Sequence, residues 1–181
     1  MQISGVPIDD EELANITAFI RPFADSMADH PTEFELITVI AFEYFSRHKV
    51  DIVVLEVGLG GNLDSTNVIN TPELAIITNI GFDHMRDFGA TITQIATAKA
   101  GIIKPGGDVL IYGKNEEADA VFARTSAEIG ASCTSPTTAA SAMFPFRWKR
   151  SVSSLAVWRA PSCGLVGTYQ ANNAAVAITA A

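Results

Sequence analysis

Four ionisable residues lie beside apolar stretches of this sequence, where a charged side chain is unusual and requires an explanation. Glu56 is near the end of DIVVLEV, Asp83 and His84 follow LAIITNI, and Lys99 lies among alanine, isoleucine and glycine. A carboxylate or an imidazole can bind a metal ion or transfer a proton, whereas an ammonium cannot coordinate a metal. Because a buried carboxylate must be paired or bound to a cation, Glu56 indicates either a structural ion pair or a cation site.

Lys99 allows two interpretations. Its long side chain either extends from an apolar helix to solvent, or its surroundings change its chemistry. Taken alone, a histidine such as His84 is more often a cap or a hydrogen-bonded residue than a metal ligand. Asp83 is expected to orient the turn rather than to react. The residues themselves leave these alternatives open.

A glycine-rich turn, EVGLGGNLD, follows the first apolar stretch. Gly58 and Gly60 fit the dinucleotide fingerprint G-x-G-x-x-G, but Leu63 occupies the third glycine position. A plain glycine turn after a strand explains the pattern equally well. The chain has no G-x-x-x-x-G-K-[ST] phosphate loop, because none of its lysines precedes Ser or Thr.

The elements that must position these residues alternate between helix and strand. Residues 31–49 are apolar on nearly all sides and predict a mostly buried helix, and residues 51–57 predict a buried parallel strand. The alternation predicts an α/β fold with an open, mainly parallel sheet and helices on both faces. Ligands bind such sheets at the carboxyl ends of the strands, where Glu56 and His84 fall. The other predicted helices cover residues 9–28, 91–100, 116–129 and 167–181, and the other strands cover 74–80 and 108–112.

Composition narrows the class of protein. The net charge of -8 argues against a nucleic-acid partner, and no apolar run is long enough to span a membrane. Cys133 and Cys163 form no close pair, so neither a disulfide framework nor a zinc site is expected and a cytoplasmic location fits. The start of the chain does not resemble a signal peptide. Residues 132–164, rich in Ser, Thr, Pro and Ala, indicate either a loop-rich linker or a weak β-excursion, and no definite structure is predicted there.

Three motifs together carry a resemblance to a known family: VLEVGLGGNLDSTNVI, ITNIGFDHMRDFGATITQIATAKAGIIKPG and GTYQANNAAVAI. The sequence resembles folylpolyglutamate synthase and its bifunctional relative dihydrofolate synthase, within the Mur ligase superfamily. The likeness is dense from about residue 31 to residue 113 and resumes at Gly167. GGNLDSTN combined with KAGIIKPG favours the folate branch over cell-wall peptide ligases and cyanophycin-type ligases.

The resemblance implies an ATP-dependent ligase that joins glutamate to a folate through an acyl phosphate. It implies ATP and Mg²⁺ as cofactors, folate or dihydropteroate and L-glutamate as substrates, and a monomer. By resemblance, Glu56, His84 and Lys99 are the catalytic residues. Glu56 and His84 are magnesium ligands, and Lys99 matches the family's carbamylated lysine, which supplies a third oxygen ligand. An apolar setting favours the neutral amine that adds carbon dioxide, which would explain Lys99.

Further site residues follow from the same resemblance. Lys104, before Pro105, is expected to be an ordinary residue at the helix exit. Asn173 matches the asparagine that meets the nucleotide. The positions that contact the pterin-bearing substrate are matched by Thr32, Glu33, Phe34, Glu35, Leu63, Asp64 and Ser65.

The sequence departs from the family pattern at Ala98, Asn62 and Tyr169, where Glu, Arg and His are usual. Residues 1–181 are expected to form part of the central domain, with the phosphate-loop segment upstream and the glutamate-binding domain downstream. The chain alone is then expected to be inactive. Alternatives are another Mur-type amide ligase, or a non-catalytic fragment that keeps the fold.

Overall fold

The computed structural model of the chain describes residues 1–82, 85–136, 151–152, 162–163 and 170–180. The chain divides into two compact units. The first contains Met1–Leu59 and Asp64–Val68, and the second contains Gly60–Leu63 and Ile69–Ala181.

The first unit begins with a small antiparallel pair, β1 (Gln2–Ile3) and β2 (Val6–Pro7), followed by α1 (Asp10–Asp25) and α2 (Glu33–His48). A 3₁₀ turn, Ser65–Val68, packs on α2. The side chain of the residue before α1 accepts the Glu12 N–H at 2.7 Å, which caps the helix. The core of this unit consists of Ile16, Ile20, Ile40 and Tyr44.

The prediction that α2 is mostly buried is wrong. Phe34, Ile37 and Val39 are 44%, 47% and 47% exposed, whereas Thr38, Ile40 and Tyr44 are buried. Packing between α1 and α2 buries one side of α2 within this unit. The apolar residues on its other side therefore remain at the surface.

The second unit is built on a three-stranded sheet. Its elements are β3 (Ala75–Ile77), α3 (Met85–Phe88), α4 (Ile92–Lys99), β4 (Asp108–Ile111), α5 (Glu116–Ile129), β5 (Ser132–Thr134), β6 (Ser151–Val152), β7 (Ser162–Cys163) and α6 (Gln170–Ala180). The strand order is β3-β4-β5 and both pairs are parallel. The predicted α/β class with a parallel sheet is confirmed.

The central strand β4 is buried on both faces. Val109 and Ile111 belong to the core that α4 and α5 share with the sheet, together with Ile95 and Phe122. Because side chains alternate along a strand, Leu110 lies on the opposite face, where it is only 1% exposed. Helix α6 also contacts β4. Such burial explains why DVLI is continuously apolar after its first residue.

Residues 51–57 do not form the predicted buried strand. They pair with no strand among the described residues, and Ile52 and Val54 are 81% and 92% exposed. A strand needs hydrogen bonds from a neighbour, and its absence here outweighs the β propensity of DIVVLEV.

The segment 132–164 is mostly outside the described residues, but its first residues form β5 as the third parallel strand. No helix in the described part of the chain has both the length and the apolar character required to cross a bilayer.

Candidate functional site

The first unit contains an open groove of about 570 Å³ that combines aromatic and aliphatic walls with few polar groups. Glu56, Thr38 and Thr66 supply its polar side chains. The remaining lining residues are Met1, Phe34, Ile37, Ala41, Phe42, Phe45, Val54, Leu55, Val57 and Gly58. The groove therefore suits a flat apolar group that carries a few hydrogen-bonding atoms.

Glu56 lies in this groove but is exposed, so the argument from a buried carboxylate is wrong. The reason is that residues 51–57 are not covered within their unit. The Glu56 side chain forms no hydrogen bond or ion pair within the described residues. Its carboxylate oxygens are therefore available to a ligand or a cation.

Phe34 shapes the groove through its contact with the glycine turn. A Cβ at Gly58 would lie 2.4 Å from the Phe34 ring, so the absence of a side chain at position 58 makes room for this ring. Phe34 remains 44% exposed and can contact a ligand. A side chain at position 58 would have to displace the Phe34 ring, which gives Gly58 a packing role independent of any nucleotide fingerprint.

The start of α2 is held by a capping box. Thr32 Oγ1 accepts the Glu35 N–H at 3.3 Å, and Glu35 Oε2 accepts the Thr32 N–H at 2.7 Å and its hydroxyl at 2.8 Å. The backbone hydrogen bond from Thr32, followed by that from its hydroxyl, lowers the pKa of Glu35. Glu33, also in this first turn, is exposed. The structure thus explains Thr32 and Glu35 as helix-capping residues.

Asp64 organises the loop after the glycine turn. Its carboxylate accepts the Leu59 N–H at 2.8 Å, the Thr66 N–H at 2.9 Å and the Thr66 hydroxyl at 2.6 Å. Burial raises the pKa of Asp64, but the hydrogen bonds from Thr66, Leu59 and Gly58 outweigh it and the pKa is lowered. Asp64 is 8% exposed, so its carboxylate binds groups of its own loop rather than water.

The neighbours of Asp64 point to different roles. Leu63 is 95% exposed and packs little, so its side chain is free to meet a ligand. Ser65 Oγ lies 3.1 Å from Thr38 Oγ1, and Thr38 Oγ1 also donates to the Phe34 carbonyl at 2.8 Å. Ser65 thereby ties the 3₁₀ turn to α2 beside the groove.

In the second unit, the glycine turn packs directly on the end of α4 that carries Lys99. The Asn62 N–H donates to the Ala98 carbonyl at 3.2 Å. A Cβ at Gly61 would lie 2.8 Å from the Ala98 oxygen and 3.0 Å from the Lys99 oxygen, and one at Gly101 would lie 2.4 Å from Asn62 Cβ. Backbone approaches backbone here, which only glycine allows.

Lys99 is the last residue of α4 and is half-buried beside the buried Ile95 and Ala96. Its ammonium forms no ion pair or hydrogen bond with the residues that the structure describes. Thr91 caps the start of this helix and Gln94 closes the capping box, while the Asn62 N–H bonded to the Ala98 carbonyl holds its other end. The sequence-based placement of Lys99 on a helix is confirmed, and its modification stays a prediction.

Asn173 lies in a second groove, of about 340 Å³, in the second unit. It is exposed on α6, and its Nδ2 donates to Gln170 Oε1 at 3.2 Å. The other residues that line this groove are Thr78, Asn79, Tyr112 and Val176.

The predicted metal site remains a prediction. His84 and its neighbour Asp83 lie outside the described residues. Glu56 and Lys99 belong to different units. Across the residues that the structure describes, no group of three or more acidic, histidine or cysteine side chains lies together.

Residues 13–181 match the Mur ligase middle domain family. The chain belongs to this family. The match covers nearly all of both units, and the parallel sheet with its helices agrees with it.

Among curated relatives of this Mur ligase domain, the dihydrofolate synthase/folylpolyglutamate synthase of Bacillus subtilis is 48% identical over 111 residues, 59% of this chain and 26% of that protein. Folylpolyglutamate synthase of Lacticaseibacillus casei is 42% identical over 135 residues, 72% of this chain and 31% of that protein. The resemblance predicted from the motifs is confirmed. The aligned regions cover about a third or less of the length of these two relatives.

Solved structures show the same likeness. The apo form of the L. casei folylpolyglutamate synthase has a TM-score of 0.85 and 35% identity, over 98% of this chain and 46% of that one. A folylpolyglutamate synthase in complex with AMPPCP and folate has a TM-score of 0.82 and 36% identity, over 96% of this chain and 44% of that one.

Sequence reasoning missed several groove residues of this Mur ligase domain. Thr38 follows Phe34 by one helical turn, so helical spacing could have placed both on the same face of α2. Thr66 lies two residues after Asp64, the spacing at which an aspartate often binds its own backbone. Tyr112 directly follows a strand, at the edge where ligands bind α/β sheets, and could have been found by that rule.

Proposed function

We propose that this chain is part of an ATP-dependent ligase of the folylpolyglutamate synthase type. The observation that carries the proposal is its likeness, at 36% identity and a TM-score of 0.82, to a folylpolyglutamate synthase in complex with AMPPCP and folate. The likeness extends over 96% of the chain. We further propose that the enzyme is a cytoplasmic monomer.

The proposed reaction has two steps. An oxygen of the folate carboxylate attacks the γ-phosphorus of ATP, the bond to the β,γ-bridging oxygen breaks, and ADP leaves. The amine nitrogen of L-glutamate then attacks the acyl carbon, the acyl–oxygen bond breaks, and phosphate leaves while the nitrogen loses a proton. Positioning and charge stabilisation are what the protein has to supply.

In the proposal, the groove of the first unit takes the ring-bearing end of folate or dihydropteroate. The aromatic walls, including the half-exposed Phe34, offer surface for a flat ring, and the hydroxyls of Thr38 and Thr66 offer hydrogen bonds. Asp64 and Ser65 hold the loop of this unit, and the exposed Leu63, which belongs to the second unit, stays a proposed substrate contact by family resemblance alone. Glu33 is exposed beside Phe34, and Thr32 and Glu35 fix the start of the helix.

The chemistry of Glu56 fits magnesium. Magnesium is usually bound through one or two carboxylates, substrate phosphates and water, and Glu56 has exposed carboxylate oxygens without a partner among the described residues. The proposal assigns the ion to Glu56, His84 and a carbamylated Lys99. When bound, magnesium neutralises phosphate charge and aligns the reacting groups.

Modification of Lys99 is the least ordinary part of the proposal. The lone pair of its neutral amine attacks the carbon of carbon dioxide, a C–O π pair moves to oxygen, and the nitrogen loses a proton. Two observations support this: Lys99 is half-buried beside Ile95 and Ala96, and its nitrogen pairs with no described side chain.

The proposal is tested with the natural gene product that contains this sequence. It is incubated with ATP, Mg²⁺, folate or dihydropteroate, and labelled L-glutamate. We expect labelled glutamate in the folate product, with one ADP and one phosphate formed per amide bond. Incorporation into a peptide acceptor but not into folate would contradict the folate assignment and identify another Mur-type ligase. No incorporation into either acceptor, with the fold intact, would indicate a non-catalytic protein.

A further inference from the structure

The position of Lys99 is set by the backbone that carries it, because its ammonium pairs with no side chain that the structure describes. Lys99 ends α4, and a 3₁₀ turn, Ala100–Ile102, continues directly from it. Ala96 and Ala100 are 0% and 2% exposed and belong to the core of the second unit. The core therefore anchors this end of the helix.

The glycine turn holds the same helix end through interlocking backbone contacts. The Asn62 N–H donates to the Ala98 carbonyl at 3.2 Å. Gly61 faces the carbonyl oxygens of Ala98 and Lys99, where a Cβ would lie at 2.8 and 3.0 Å. Gly101 faces the turn, and a Cβ there would lie 2.4 Å from Asn62 Cβ and 2.6 Å from Asn62 N. Each partner thus contributes one glycine to the contact.

A methyl group at either glycine would force the turn and the helix end apart. Most of the atoms that it would meet belong to the backbone, so rotation of a side chain does not make room for it. Lys99 would move with its helix end, since no partner at its ammonium opposes the movement. A displacement of about 1 Å at a reacting group can lower a rate by about a hundredfold.

We propose that Gly61 and Gly101 are positioning residues that hold Lys99 where the reaction requires it, by allowing the glycine turn to pack on the end of α4. The inference rests on the proposed function in taking Lys99 as a catalytic residue. It goes further in giving these two glycines a role in the reaction that acts through Lys99.

The first test follows the Lys99 amine without any substrate. The natural gene product is treated with a trace of acetic anhydride, and mass spectrometry compares acetylation of Lys99 with that of the exposed Lys114. Gly101→Ala should raise the ratio of Lys99 to Lys114 acetylation, because displacement of the helix end exposes the half-buried Lys99 side chain. Gly61→Ala should raise the ratio less, since its closest contact is 2.8 Å rather than 2.4 Å.

The second test is a double-mutant cycle on kcat, which separates positioning from a general loss of structure. Gly101→Ala alone should lower kcat by about a hundredfold. Added to Lys99→Ala, it should lower kcat little further, because the residue that it positions is already gone. A merely structural loss would instead add to the loss caused by Lys99→Ala.

Gly81→Ala is the matched control. It adds the same methyl group to the same unit, at an exposed position where no described atom lies within 4 Å. Both the acetylation ratio and kcat should therefore equal those of the unsubstituted protein. Circular dichroism checks that each variant is folded, and Gly61→Ala carries both tests if Gly101→Ala does not fold.

Either of two outcomes would overturn the inference: an acetylation ratio that does not rise in the folded variants, or additive losses of kcat in the double variant. Absence of ligase activity in the unsubstituted protein would instead reject the proposed function. The acetylation ratio needs no activity, so it would still decide whether the two glycines hold Lys99 in place.

Discussion

Asp64 and Lys99 differ in how completely the structure explains them. Asp64 is 8% exposed and accepts hydrogen bonds from Leu59 and Thr66, so local structure alone accounts for a carboxylate at this position. Lys99 is half-buried on a fixed helix end, and no described side chain pairs with its ammonium. The first residue therefore predicts an effect on stability, and the second predicts an effect on chemistry.

Asp64→Asn should lower the free energy of unfolding by about 1–3 kcal/mol at neutral pH, because an amide accepts these hydrogen bonds less strongly. The pKa of Asp64 is lowered from 3.8 by folding, so the charged form stabilises the fold above that value. The contribution is lost as the pH falls through the lower pKa of the folded state. Urea unfolding at neutral pH and below the unfolded-state pKa measures the difference, which should shrink in acid.

Glu73→Gln is the matched control for Asp64→Asn. Glu73 is exposed, and its side chain forms no hydrogen bond or ion pair within the described residues. The free energy of unfolding of the Glu73→Gln variant should therefore equal that of the unsubstituted protein at neutral pH. A pH-independent loss in Asp64→Asn would show that the charge of Asp64 is not what stabilises the loop.

Lys99→Ala in the natural gene product should lower kcat by roughly a hundredfold or more, the size of effect seen when a group that stabilises the transition state is removed. A small carboxylic acid added to the assay should restore part of the rate by replacing the carbamate oxygens. Lys104→Ala should lower kcat much less. Full activity in Lys99→Ala, or an equal loss in Lys104→Ala, would show that the wrong lysine or the wrong chemistry has been assigned.

At the level of helices and strands, local signals predicted some elements well. Helix α5 has the predicted bounds, 116–129, because Asn115 caps its start and Gly130 ends it in a left-handed conformation. Strand β5 was missed, since Ser-Cys-Thr has little strand character and depends on its pairing with β4. The predicted strand at residues 51–57 is wrong for the converse reason, since its strong β propensity has no partner strand among the residues that the structure describes.

In the candidate site, too, local features could be predicted from the sequence, whereas features that depend on distant residues could not. The position of Lys99 on a helix follows from local pattern, whereas the exposure of Glu56 depends on what covers residues 51–57. The contact of Phe34 with Gly58 joins residues far apart in the sequence and has no local signature. Motif resemblance named Phe34 without indicating that it also packs on the glycine turn.

The capping box at the start of α2 gives a prediction at this level. Thr32→Ala should lower the free energy of unfolding by about 1 kcal/mol, because Thr32 Oγ1 caps the Glu35 N–H. Thr32→Ser keeps the hydroxyl and should be close to the unsubstituted protein. Thermal unfolding followed by circular dichroism makes the comparison. Equal stability of Thr32→Ala and Thr32→Ser would show that the capping hydrogen bond does not stabilise the helix.

Over the whole molecule, each unit has a core of its own. Ile16 is fully buried in the core of the first unit, and Ile95 is fully buried in that of the second. Their side chains belong to different clusters of contacting residues. Local stability is therefore expected to depend on which core is altered.

Ile95→Ala should destabilise the second unit by about 2–5 kcal/mol, because a cavity replaces tightly packed atoms. Hydrogen exchange measured by mass spectrometry should then show faster exchange in α4, α5 and β4 than in α1 and α2. Ile16→Ala should give the reverse pattern. Uniform acceleration across both units after either substitution would show that the chain unfolds as one cooperative body.

The exposed segment 51–57 has a consequence for the colloidal behaviour of the chain. Ile52 and Val54, 81% and 92% exposed, offer apolar surface to other molecules, while the net charge of -8 keeps those molecules apart. Electrostatic repulsion reaches about 10 Å in 0.1 M salt but only about 3 Å in 1 M salt. Concentrated sulfate also strengthens apolar association. Light scattering should therefore rise with ionic strength, and dilute buffer is the better medium for storing the chain.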